Sequence, residues 1–326
     1  MKPLAITLGD PAGIGAEVVF RSLASIESDR PLWLFGDWNY AKQTVGRTGV
    51  AASLDRVMDL QAARCLGARR LFVDVGDFSE DELQFGRVDA RYGAVALRSI
   101  EVALAAIDEG LCEGLVTAPI HKQAIKEAGS PFTGHTELLA HHFGLEKYGH
   151  DFAMYFDSPS LRVSLMSVHV SMTEAILRIT KENLVALALL THQEYGNFYG
   201  TKPRIGVAGL NPHAGEGGMF GEEEIVLRDG VVMAEEHGLS ISGPHPPDTI
   251  FRDAITGKYD VVIAMYHDQG LIPIKTIHFE ESVNVTLGLP YLRASVDHGT
   301  AFAIAGQGIA NPKPMRYAIQ WAIDHV

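Results

Sequence analysis

Short apolar runs of about five residues, each ending near Gly, Pro, Asp or His, constrain this chain more than any other feature. They include Leu4–Leu8, Leu32–Phe35, Leu71–Val75, Gly114–Val116, Val163–Val168, Arg204–Ala208 and Val261–Met265. Between several of them lie longer stretches with apolar residues at helical spacing: Val88–Gly110, Met172–Gln193 and Glu222–His237. A strand apolar on both faces must be covered on both sides. Its alternation with amphipathic helices predicts an α/β protein on a mostly parallel sheet. The 326 residues suit two domains of ordinary size. No internal repeat, low-complexity tract or Ser/Gly-rich linker divides the chain, so two domains would interleave rather than follow one another.

The charge balance narrows the partners. Lys and Arg total 27 against 40 Asp and Glu, a formal charge of −13. Nucleic-acid backbones and anionic membranes are bound by clustered cations, so this balance argues against both. Two cysteines, Cys65 and Cys112, make no disulfide framework and suggest a reducing compartment. The opening MKPLAITLGD lacks a signal-like apolar segment, and no run approaches the ~18 apolar residues of a membrane span. The expectation is a soluble cytoplasmic protein.

Three histidines closely follow apolar strands. VSLMSV leads into His169, IGVAGLNP into His213 and VVIAMY into His267. In a parallel sheet the carboxyl ends of the strands share one edge, where ligands bind. Three imidazoles there could hold a metal with open positions for substrate. Spacing alone favours three separate loop histidines capping strands, and both readings stay open at this point. Polar Asn211, Glu216, Asp268 and Gln269 accompany them, and Gly215, Gly217, Gly218 and Gly270 permit close backbone approach.

Two other segments carry weaker signals. FTGHTELLA reads as a turn entering a helix, capped by Thr133 or Thr136, and a helix start also binds anions. GDPAGIGAE follows the first strand and opens a helix without matching a dinucleotide or P-loop pattern, so tight strand-to-helix packing is favoured. Glu222–Glu224 read as a solvated helix start, His141, His142 and His150 as surface residues, and Trp33, Trp38 and Trp321 as packing.

The strings GDPAGIG, GHTELLA, NPHAGEGGMFGEEE, GPHPPDTIF, AMYHDQGLIPIK and VNVTLGLPYLRASVDHGTAFAIAG resemble the 4-hydroxythreonine-4-phosphate dehydrogenase family of vitamin B6 biosynthesis. The similarity runs from Leu4 to about Gly308. It implies two interleaved α/β/α domains of the isocitrate/isopropylmalate dehydrogenase type. Residues 1–125 with 290–326 would form the NAD side, and 126–289 the substrate, metal and dimerisation side. The implied reaction is NAD- and divalent-metal-dependent oxidation of 4-hydroxythreonine 4-phosphate, with loss of CO2 from the β-keto acid.

The resemblance also assigns residues. It places the metal ligands on His169, His213 and His267, with Zn, Mg, Mn or Co as the ion. It puts substrate contacts on His135, Thr136, Lys275, Asn284 and Arg293, and active-site carboxylates on Asp248 and Asp268, for proton transfer or for orienting ligands. The stretch DHGTAFAIAGQGIANP is similar to the loop that wraps the adenosine of NAD in the related dehydrogenases, with His298, Gly299, Thr300 and Asn311 as contacts. Members are homodimers with the active site at the subunit interface and the metal shared between chains.

GPHPPDT, HDQGLIP and NVTLGLP lean toward relatives acting on D-threonate or D-erythronate 4-phosphate or on aromatic cis-dihydrodiols. His245 stands where Leu is usual, and Ile272 precedes Pro273, which touches recognition of the substrate's amino group. The vitamin substrate comes first and the sugar-acid phosphates second. A metal-dependent hydrolase would use the same histidines but have no use for the 297–312 loop. A sugar-phosphate sensor would keep only the anion site.

Overall fold

The computed structural model describes residues 1–50, 53–76 and 82–326. The chain separates into two compact units, Met1–Leu139 with Tyr291–Val326, and Ala140–Pro290. The first holds β1 (Leu4–Thr7), α1 (Gly15–Leu23), β2 (Leu32–Gly36), α2 (Trp38–Thr48), β3 (Asp55–Val57), α3 (Leu60–Leu66), β4 (Arg70–Asp74), α4 (Ala90–Asp108), β5 (Gly114–Thr117) and α5 (Lys122–Glu127). The helix α6 (His135–His142) carries the chain into the second unit. There follow β6 (Ala153–Asp157), β7 (Val163–Leu165), α7 (Met172–Leu177), α8 (Lys181–Tyr199), β8 (Arg204–Ala208), α9 (Glu223–Glu236), β9 (Ser240–His245), α10 (Ile250–Ile255), β10 (Val261–Ala264), α11 (His267–Ile277) and β11 (Val283–Leu287). The chain then returns to the first unit with β12 (Leu292–Ser295) and α12 (Lys313–His325).

The strands of the first unit lie in the order β3-β4-β2-β1-β5-β12, all parallel. Those of the second run β11-β6-β7-β10-β8-β9, with β6 antiparallel to both neighbours and β7, β10, β8 and β9 parallel. Every residue of β1, β2, β5 and β10 is buried, as strands covered on both faces require.

Local chemistry sets the helix ends. Asp37, Asp59 and Asp89 accept from backbone N–H groups in the first turns of α2, α3 and α4. The single helix expected over Met172–Gln193 is two. Ser171 caps α7, and the Thr180 hydroxyl accepts from Asn183 N at 3.1 Å, which starts α8 afresh. Gly93 explains why α5 stays with the first unit. A Cβ there would lie 2.1 Å from Ala124 O, so only glycine lets α4 and α5 pack this closely. In GDPAGIGAE the same logic holds. A Cβ on Gly15 would meet Leu8 O at 2.1 Å, and one on Gly9 (φ +70°) would meet Pro119 O at 2.2 Å. The tight-packing reading of that segment stands.

Candidate active site

The three strand-end histidines lie in the second unit, past three adjacent parallel strands: His169 beyond β7, His267 beyond β10 and His213 beyond β8. The rings of His169 and His267 are 5.8 Å apart. His267 shares a 2.7 Å hydrogen bond from Nδ1 to Asp268 Oδ1. That bond favours the tautomer with the proton on Nδ1 and leaves the Nε2 lone pair available to a ligand. His213 is carried on a separate segment, the turn after β8, and its ring lies 6.4 Å from that of Phe220. Among the described residues no three His, Cys, Asp or Glu side chains form a group that could hold a metal ion. The ring contact between His169 and His267 brings two of the three imidazoles together.

The 213–217 turn that carries His213 has an unusual conformation. His213, Ala214, Gly215, Glu216 and Gly217 all have positive φ, from 43° to 76°. L-residues avoid this region at ~1–2 kcal/mol each, so surrounding contacts must enforce it. The enforcing group is Glu224, buried at the start of α9. Its Oε1 accepts from Asn211 N at 2.7 Å and its Oε2 from Asn211 Nδ2 at 2.9 Å. Glu223 adds a bond from Asn211 Nδ2 at 2.8 Å. The solvated reading of Glu224 is therefore corrected. This residue is the buried anchor of the turn that carries His213, which nothing in its sequence spacing reveals.

Asp248 and Asp268 are both exposed and line one pocket of about 440 Å³ within the second unit. Tyr266, Gln269, Phe251 and Ile272 complete much of its wall. Gln269 is a structural latch, accepting from Met265 N at 2.7 Å and donating to Gly209 O at 2.8 Å. Lys275 is half-buried on α11. Asn284 lies on β11 with its Oδ1 out of reach of solvent and without a hydrogen-bond partner among the described residues. His245 is engaged internally. Its Nε2 meets Ser242 Oγ at 2.9 Å and Tyr259 OH at 2.8 Å, and burial lowers its pKa. His150 also departs from its surface reading, bonding Asn183 Oδ1 at 2.9 Å.

The remaining site residues fall in the first unit. Arg293, on β12, is 2% exposed and donates to Thr117 Oγ1 at 2.8 Å, so it is no solvated surface charge. Burial lowers its pKa to about 10, against the raising effect of Tyr291 and Glu137, and it stays cationic at neutral pH. His135 opens α6 with its Nε2 buried and lacking a hydrogen-bond partner among the described residues. Burial first, and then the Arg293 charge, hold its pKa well below the ordinary value, so its imidazole is neutral. Thr136 lies inside α6 and is not its cap. A buried guanidinium, a neutral imidazole and a helix start together suit a small anion.

The 297–312 stretch packs in this same unit. Thr300 is buried, its carbonyl accepts from Ile14 N at 3.0 Å, and its side chain abuts Gly13. His298 is half-buried, and Gly299 and Asn311 are exposed. A Cβ on Gly299 would meet nothing within 4 Å, so the surface there is open. Asn311 Oδ1 also accepts from Lys313 N at 3.1 Å, at the start of α12.

Comparison with known proteins places this arrangement. The family described as pyridoxal phosphate biosynthetic protein PdxA matches residues 27–322. The chain is similar to the 4-hydroxythreonine-4-phosphate dehydrogenase of Beijerinckia indica subsp. indica, at 40% identity over 98% of this chain and 94% of the relative. It is similar to the D-threonate 4-phosphate dehydrogenase of Pectobacterium atrosepticum, at 37% identity over 99% of each. Among solved structures, the 4-hydroxythreonine-4-phosphate dehydrogenase of Klebsiella pneumoniae superposes with a TM-score of 0.88, at 36% identity, over 99% of this chain and 100% of that one.

Proposed function

The chain belongs to the family of the pyridoxal phosphate biosynthetic protein PdxA, and from that premise we propose that it oxidises the secondary alcohol of 4-hydroxythreonine 4-phosphate with a nicotinamide cofactor. The observation that carries this reading is the pairing of buried, cationic Arg293 with neutral His135 at the start of α6. Arg293 can take two phosphate oxygens through parallel N–H donors, and the free amides of the helix start add to the same anion site. His135 Nε2 offers a polar contact that adds no second charge. Lys275 and Asn284 are assigned to the rest of the substrate.

NAD is the assigned cofactor, held by the 297–312 stretch through His298, Gly299 and Asn311, with Thr300 fixing the stretch from within. A bound nicotinamide supplies the hydride acceptor, and a bound divalent metal supplies charge that favours loss of the hydroxyl proton. His169, His213 and His267 are the assigned ligands for an ion such as Zn, Mg, Mn or Co, the imidazoles favouring the later metals. Asp268 holds the Nδ1 proton of His267 and so orients the ring. Asp248, exposed in the same pocket, is the assigned proton acceptor. The product is a β-keto acid, whose ketone draws the electrons released when CO2 leaves.

A homodimer is the assigned assembly. Met172, Leu177, Met219, Phe220, Ile225 and Phe279 of the second unit are exposed apolar side chains, of the kind that a second copy would cover. No described helix is long and apolar enough to cross a membrane, and the free thiols Cys65 and Cys112 fit a cytoplasmic setting.

The test is a substrate panel at fixed NAD and metal, read by NADH absorbance. It compares 4-hydroxythreonine 4-phosphate, D-threonate 4-phosphate, D-erythronate 4-phosphate and an aromatic cis-diol by kcat/KM. The first is expected to rank highest. A higher value for any other would move the substrate assignment to that compound, and no NADH from any of the four would overturn the dehydrogenase reading.

A further inference from the structure

Helix α1 faces the 308–312 segment with three side chains. Glu17 is 1% exposed, and its Oε1 accepts from Ala310 N at 2.9 Å. One turn later Arg21 donates from Nη2 to Gly308 O, and its Nε lies 3.4 Å from Glu17 Oε1. Ser22 Oγ donates mainly to Val18 O at 2.6 Å and also reaches Pro312 O at 3.2 Å. Glu17 and Arg21 lie one turn apart on the same helix face, and Ser22 reaches the strip from the next position round the helix. They take the backbone of alternate residues, 308, 310 and 312.

That alternation has a consequence for the other side of the strip. Ala310 is buried, whereas Ile309 is 62% exposed and Asn311 is exposed. The helix therefore holds the even-numbered backbone and leaves an apolar side chain and a carboxamide at the surface. The same strip is fixed elsewhere by glycine contacts. Gly306 (φ +72°) has Phe85 packed where a Cβ would sit, at 2.6 Å, and Gly308 (φ +72°) lies against Thr48 O, 3.2 Å from its Cβ position.

We propose that Glu17 and Arg21 are positioning residues for the dinucleotide. They preorganise the 308–312 strip so that Ile309 and Asn311 meet the flat base and its sugar without an ordering cost at binding. This inference rests on the cofactor assignment above. It goes beyond it by giving the acidic end of GDPAGIGAE, otherwise explained by packing alone, a part in ligand affinity. A contact surface already ordered before binding loses less entropy when the ligand arrives, so loosening the strip weakens affinity without touching the chemistry. Glu17 is the pivotal group because it holds both the Ala310 amide and the Arg21 guanidinium. Removing it leaves a buried N–H unsatisfied.

The experiment uses the full-length protein, with NADH as the probe, titrated by fluorescence, and steady-state kinetics with NAD. Glu17→Ala is expected to raise the NADH Kd about tenfold or more, as loss of one buried charge-assisted bond implies. Glu17→Gln keeps an acceptor for Ala310 N and should recover most of that loss. Arg21→Met, at a side chain 29% exposed, should fold normally and raise Kd by about threefold to tenfold. In each variant KM for NAD rises while kcat at saturating NAD stays near the wild-type value. Wild-type Kd in Arg21→Met and no recovery from Ala to Gln at position 17 would overturn this inference alone. A fall in kcat with KM unchanged would do the same. A wild-type protein that binds no NADH would overturn the cofactor assignment and this inference with it.

Discussion

Replacing Asp10 with Asn should remove a pH dependence from the stability of the first unit. Asp10 is fully buried after β1, where its Oδ1 accepts from Ala12 N at 2.9 Å and its Oδ2 has no partner among the described residues. Burial pushes its pKa from 3.8 up to about 7; the Ala12 bond opposes this and nearby Asp89 adds to it. The folded chain therefore holds this proton more tightly than the unfolded chain. Its contribution is complete below the unfolded pKa and is lost as pH rises through about 7. From pH 5 to about 7 the folded chain keeps a proton that the unfolded chain has already released, and above that both are ionised. Each pH unit of that interval costs ~1.4 kcal/mol, so wild type should lose ~3 kcal/mol relative to Asp10→Asn between about pH 5 and about pH 9.

Urea unfolding at several pH values measures this directly. All three tryptophans, Trp33, Trp38 and Trp321, lie in the first unit, so intrinsic fluorescence reports its transition and not that of the second. The asparagine keeps an acceptor for Ala12 N and places an NH2 where Oδ2 lacked a partner. That cost does not vary with pH, so the slope is the test and the intercept is not. Parallel curves for the two proteins, or a wild type that gains on the variant as pH rises, would refute the argument.

Three further outcomes follow from the site. Arg293→Met should lower kcat/KM for a phosphorylated substrate by about a hundredfold or more, chiefly through KM, since a buried bidentate donor is lost; steady-state kinetics checks this. Glu224→Ala should cost about 1–3 kcal/mol through loss of the Asn211 bonds, seen in urea unfolding, and should reduce zinc retained in equilibrium dialysis as the turn carrying His213 relaxes. EDTA should abolish NADH formation and added divalent metal should restore it; activity that survives complete metal removal would put the histidine assignment aside.

The α/β class and seven of the twelve described strands were legible because buried parallel strands leave apolar runs, as in Val261–Ala264 and Arg204–Ala208, whereas β3, β6, β9, β11 and β12 were not singled out. The position of the three histidines past three strands was legible for the same reason, and the adjacency of β7, β10 and β8 was not, since strand order is a long-range property. The break at Arg178–Thr180 was hidden by apolar residues that continue the helical period across it, while one Thr180 hydroxyl decides the matter. Glu224 was misread because its partner, Asn211, is fixed by folding rather than by spacing, and the Ser242 and Tyr259 contacts of His245 were hidden for the same reason. Arg293 was placed by motif, and its burial came only with β12 beside β5.

The division of the chain also has a temporal meaning. The second unit is one continuous segment, Ala140–Pro290, whereas the first needs both Met1–Leu139 and Tyr291–Val326. On the ribosome the second unit is fully synthesised while the first still lacks β12, α12 and the strip that α1 holds. Until then β5 has one side unoccupied, and Glu17 and Arg21 have nothing to grip. A chain stopped soon after Pro290 would carry an intact second unit beside an incomplete sheet, which is where unpaired strand edges invite aggregation. The 308–312 strip thus follows the whole of the second unit in synthesis, and it can close on α1 only after that unit has been made.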